Sequence, residues 1–115
     1  MNDTTERLLA VGSSGQRLVI ELGAPYDGPP VFSERRYRHA EIHVEAGAFR
    51  GTVPAVADES QYREAATAFG RDGRCRFGGD RDTLVALERD GSAIDVEVTV
   101  TEDDPQVSLR FLIFE

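Results

Sequence analysis

The chain has 115 residues, 40% of them hydrophobic and 30% charged, which is the size and composition of one globular domain spanning 1–115. Its 21 acidic and 13 basic residues leave a net charge of −8, a field that repels phosphate backbones and argues against nucleic-acid binding. All 13 basic residues are Arg, so the lack of Lys excludes Schiff-base chemistry, a lysine general base and a phosphate-loop lysine.

No apolar run is long enough to span a bilayer and no basic-then-apolar leader opens the chain. A cytoplasmic location without a membrane partner is therefore expected. With Cys75 as the single cysteine, no internal disulfide is available.

Leu8 to Val11 and Arg17 to Leu22 read as strands flanking a Gly12-Ser13-Ser14-Gly15 hairpin loop. In the second strand Leu18, Ile20 and Leu22 point one way, and Arg17, Val19 and Glu21 the other. From Gly23 to Arg36, Pro25, Gly28, Pro29 and Pro30 interrupt any ladder and predict a long surface loop. Tyr37 to Ala46 alternates, with Ala40, Ile42, Val44 and Ala46 on one face and His39, Glu41, His43 and Glu45 on the other. A turn at Gly47 returns the chain through Ala48 to Val56, with Phe49, Val53 and Ala55 expected inside and Pro54 marking a strand end or sheet edge.

A helix is predicted over about 59–69. Asp58 caps it, Gln61 follows at capping-box spacing, and Tyr62, Ala65, Ala66 and Phe69 form an apolar stripe. Gly70 is the expected stop. Further strands follow at Arg74 to Phe77, Thr83 to Arg89 and Ala93 to Thr101, the last two joined around Asp90-Gly91. Ile94, Val96, Val98 and Val100 form the core side of that last strand; Asp95, Glu97, Thr99 and Thr101 form the wet side. A final strand, Val107 to Glu115, turns Leu109, Phe111 and Ile113 inward. The fold class is α+β: a largely antiparallel sheet of about seven to eight strands with one amphipathic helix packed on it.

The chain resembles the WapI-type immunity proteins, small bacterial proteins often encoded beside polymorphic toxins. The resemblance runs from Gly15-Gln16-Arg17-Leu18-Val19-Ile20-Glu21-Leu22, through Glu45-Ala46-Gly47-Ala48-Phe49-Arg50-Gly51-Thr52-Val53 and Asp90-Gly91, to Ala93-Ile94-Asp95-Val96 and Leu109-Arg110-Phe111. It implies a non-enzymatic protein that occludes a cognate toxin, and carries over no site residues. An acidic inhibitor pairs naturally with a basic toxin. The partner surface is then expected on Glu41, Glu45, Asp95 and Glu97, together with the Glu102, Asp103 and Asp104 turn. The alternatives are a structural or oligomerising domain without a toxin partner and, ranked below both, a small metal-dependent enzyme.

The sharpest candidate for chemistry is His39, Glu41, His43 and Glu45, of which neighbours at i, i+2, about 7 Å apart, could chelate one ion. On a straight strand His39 and His43 lie roughly 13 to 14 Å apart, too far to share an ion, and a third ligand would have to come from an adjacent strand, such as Asp95 or Glu97. A solvated sheet face is the preferred reading, with no metal, cofactor or catalytic residue expected. The serines fit turns, caps and strand ends, Cys75 fits a small buried hydrophobe, and Arg35, Arg36 and Arg38 fit ion pairs. Leu112 and Phe114 break the last strand's alternation. Either both faces of that strand are covered, or the two residues form a self-association patch in a homodimer.

Overall fold

The computed structural model describes residues 5–13, 15–25, 37–78, 83–100 and 107–114. Eight strands and one helix follow in the order β1 (Glu6–Ser13), β2 (Gln16–Pro25), β3 (Tyr37–Ala46), β4 (Phe49–Asp58), α1 (Glu59–Asp72), β5 (Arg74–Phe77), β6 (Leu84–Asp90), β7 (Ala93–Val100) and β8 (Val107–Phe114). The α+β class is as expected, but the strands divide between two antiparallel four-stranded sheets, β1-β2-β3-β4 and β5-β6-β7-β8, each a meander in chain order. The helix causes the division: it leaves β4 at once and delivers the chain to β5, so β4 and β5 never pair. Pro54, which has no amide proton to donate, lies in edge strand β4 as the sequence suggested.

One core serves both sheets. Leu18, Ile20, Leu22 and Ile42 from the first meet Phe77, Val85, Ile94, Val96 and Ile113 from the second, all fully buried. Helix α1 contributes Tyr62, Ala65 and Phe69, while Ala66 is only partly buried. The Tyr62 ring meets Phe77 edge-on at 5.2 Å, and the Arg89 guanidinium lies 5.3 Å from the Phe69 ring centre. Gly12 brings the β1–β2 turn against β8: at φ 89° its missing side chain clears the Gln16 carbonyl and the Ile113 methyl.

The helix starts where its cap predicts, with Asp58 Oδ1 accepting from the Gln61 amide at 3.3 Å. It does not stop at Gly70. That residue is helical and exposed, and the chain turns three residues later at Gly73. There φ is 78°, the left-handed conformation glycine tolerates, and the Gly73 amide donates to the Phe69 carbonyl at 2.9 Å. Phe49, expected inside, is 52% exposed beside the β3–β4 turn. Thr99, expected on the wet side, is buried, its hydroxyl 3.3 Å from that of Ser108. Among the described residues no helix is long and apolar enough to cross a membrane.

A charged cluster ties the helix to the first sheet. Arg63 donates to both carboxylate oxygens of Glu6 on β1 (2.8 and 2.7 Å) and to Glu59 (2.9 Å), and Arg38 on β3 donates to Glu6 at 3.1 Å. Hydrogen bonds from Arg63, then Arg38, pull the Glu6 pKa down to about 2. Arg38 pairs with Glu6 and, at 3.6 Å, with Glu59, the ion-pairing role read from sequence, and also donates to the Gly23 carbonyl at 2.8 Å. Arg35 and Arg36 lie outside the described residues.

Candidate functional site

The outer face of the first sheet is built by strand alternation and set by register. Because residues paired across antiparallel strands point the same way, β2, β3 and β4 stack their outward side chains in rows. Arg17, Glu45 and Arg50 form one row, Val19, His43 and Thr52 the next, and Glu21, Glu41 and Pro54 the third.

Each row has its own chemistry. In the first, Glu45 lies between two guanidinium groups, 3.8 Å from Arg17 and 3.2 Å from Arg50. In the second, His43 is held at both ring nitrogens: Nδ1 is 3.0 Å from the Thr52 hydroxyl, and Nε2 reaches diagonally to Glu21 Oε1 at 2.9 Å. Val19 beneath this cover is buried although it points outward. In the third row Glu21 and Glu41 stand directly opposite one another. Like charges so placed repel, and among the described residues Glu41 makes no ion pair. One ligand atom each from Glu21, Glu41 and His43 lies within 4.8 Å of the others.

The sequence reading identified Glu41 and His43 and missed Glu21 and Thr52. The third group at this cluster comes from β2, whereas Asp95 and Glu97 stand on β7 in the other sheet. Outward alternation marked Glu21, but its place opposite Glu41 depends on the β2–β3 register, which a long connection, unlike a two-residue hairpin, does not let one count from sequence.

The expected acidic partner surface is split in the same way. Glu41 and Glu45 lie on the outer face of the first sheet, and Asp95 and Glu97 on that of the second; with the core between the sheets, these faces point away from each other. Asp95 is engaged by Arg110 through bonds of 3.1 and 2.6 Å, which lower the carboxyl pKa and raise that of the guanidinium. Glu97 stands opposite the same Arg110. Glu102, Asp103 and Asp104 lie outside the described residues. Arg74, Arg76, Glu88, Asp95, Glu97 and Arg110 line a shallow mixed-charge depression on this second face.

Cys75 is partly buried against the core, and that burial pushes its thiol pKa up to about 11, which disfavours the reactive thiolate. Thr52, His43 and Glu21 are connected like a hydroxyl, base and carboxylate relay. Thr52 is exposed on the sheet face, where it and His43 line an open depression of about 450 Å³ with Arg17, Glu45 and Arg50. On β8, Leu112 and Phe114 are 45% and 59% exposed. The strand is the outer edge of its sheet, which removes the reading in which both its faces are covered.

No family model, curated protein or solved structure matches the chain, so function is read from these faces alone.

Proposed function

We propose that the protein is a non-enzymatic binding module whose first sheet offers its outer face to a basic protein, in the manner of an immunity protein that occludes a toxin. The observation that carries this reading is the Glu21–Glu41 pair, two carboxylates opposed in register on an open face of a chain of net charge −8. A cationic side chain from a partner relieves their repulsion, and the field of the whole molecule steers that partner inward. Glu45 contributes less, because Arg17 and Arg50 already neutralise it. Since the faces point apart, one flat partner engages Glu41 and not Asp95 or Glu97.

The test is affinity capture from the native organism, followed by association kinetics with the purified partner. The reading requires a basic partner whose association rate falls by about tenfold or more between low and physiological salt. A neutral or acidic partner, or a salt-independent rate, overturns it.

A second reading has its own observation. Leu112 and Phe114 stand exposed on edge strand β8, and exposed apolar side chains on a terminal strand favour self-association. β8 has neither the proline of β4, the register shift of β1 nor the brevity of four-residue β5. Sedimentation at micromolar concentration distinguishes the cases: a dimer that Leu112→Ser, Phe114→Ser converts to monomer supports this reading, and a monomeric wild type removes it.

A further inference from the structure

We propose that Glu21, Glu41 and His43 form a surface site for a divalent first-row transition cation of zinc type. The three side chains come from two hydrogen-bonded strands, so their Cα positions are fixed by the ladder. Their ligand atoms lie within 4.8 Å of one another, and His43 Nε2 and Glu21 Oε1 are 2.9 Å apart. Tetrahedral zinc, with ligands at about 2.0 to 2.1 Å, requires them about 3.3 Å from each other. The first two ligands are close to that spacing. The exposed Glu41 side chain supplies the third by a rotamer change that disturbs no core contact.

Charge favours the same ligand. Two carboxylates opposed in register repel, and a divalent ion bound between them cancels both charges at once. The imidazole selects among divalent ions: magnesium and calcium prefer all-oxygen sites, whereas mixed nitrogen and oxygen ligands suit zinc and its neighbours. His43 is already aimed for the task. With Nε2 on the metal, Nδ1 carries the proton and donates to the Thr52 hydroxyl, 3.0 Å away, the kind of contact that holds a ligating histidine in orientation. A depression of about 250 Å³ lined by Glu21, Glu41 and His39 adjoins the two carboxylates, and His43 lines a separate one. Because the face is open, the fourth position belongs to solvent.

The sequence preferred a solvated face and pointed to Asp95 or Glu97 for a third ligand, whereas β2 supplies Glu21. The site proposed here uses one histidine. It lies outside the core and uses the same two carboxylates as the protein-partner reading, but its test needs no protein partner.

The test is calorimetric titration of chelator-treated full-length protein with zinc chloride, with far-ultraviolet dichroism to confirm that each variant is folded. One zinc per chain is expected, with affinity lowered at least about tenfold by His43→Ala and by Glu21→Gln, about tenfold by Thr52→Val, and less than about twofold by His39→Ala. In the wild type, zinc should shift the His43 ring resonances and leave those of His39 in place. Failure to saturate at one ion, equal affinity in His43→Ala, or equal perturbation of both histidines overturns the proposal.

Discussion

On the outer face of the second sheet, Asp95 reaches Arg110 on the neighbouring strand and closes a two-bond ion pair, whereas on the first sheet Glu21 meets Glu41 across the ladder. Both faces arise from the same alternation of apolar and charged residues. What separates them is register: one β7–β8 alignment brings a cation within reach of an acid, and one β2–β3 alignment brings two acids together. The same alternation thus gives an ion pair on one face and two opposed carboxylates on the other.

The largest expected effect concerns what the two faces share. If both sheets rest on one core, Ile42→Ala in the first and Ile94→Ala in the second should each lower the stability of the same cooperative transition by about 2 to 5 kcal/mol. Denaturant unfolding followed by fluorescence and far-ultraviolet dichroism checks this. Two separable transitions would mean that the sheets, and hence their faces, are independent.

A smaller effect lies at the helix that joins the sheets. Asp58→Ala should cost about 1 kcal/mol, because the Gln61 amide loses its capping acceptor. Retention of full stability in the same unfolding assay would show that the sheet packing holds this helix start without a cap.

The faces themselves should answer charge removal with opposite sign. Glu41→Gln relieves a repulsion and is expected to stabilise by a few tenths of a kcal/mol at low salt, roughly the scale of an exposed cross-strand pair. Asp95→Asn breaks the pair with Arg110 and should destabilise. Thermal melts at low and high salt measure both, and the same sign for both variants would erase the distinction between the faces.

The smallest effect is the pH response of the charged cluster between β1, β3 and α1. The folded pKa of Glu6 is depressed to about 2, so the unfolded chain binds its proton first as pH falls. Its contribution is complete above the ordinary carboxylate range near 4.5 and declines as pH drops towards 2. Glu6→Gln should flatten that part of the stability curve. An unchanged acid limb would show that this cluster contributes nothing measurable.

Strands, turns and the helix start were legible because each has a local physical cause: alternation in β2, β3 and β7, Asp90-Gly91 between β6 and β7, and the Asp58 cap. The helix end was misplaced because Gly70 and Gly73 have the same composition signal and differ only in backbone conformation. Phe49 was misplaced because alternation was carried through the turn to the first residue of β4, where the sheet no longer has a covered side. Of the candidate site, Glu41 and His43 could be read from one strand. Glu21 and Thr52 could not, since only pairing with β2 and β4 brings them to His43. Separation into two sheets, which parts Glu41 from Asp95, depends on where the helix sends the chain, a long-range fact that no local pattern records.

The distinction between the faces is tested most directly by measuring association of the captured basic partner at low salt with Glu41→Arg and, separately, with Glu97→Arg. The account predicts that Glu41→Arg slows association by about tenfold while Glu97→Arg changes it by less than about twofold. The reverse order, or equal rates for both variants, would contradict it.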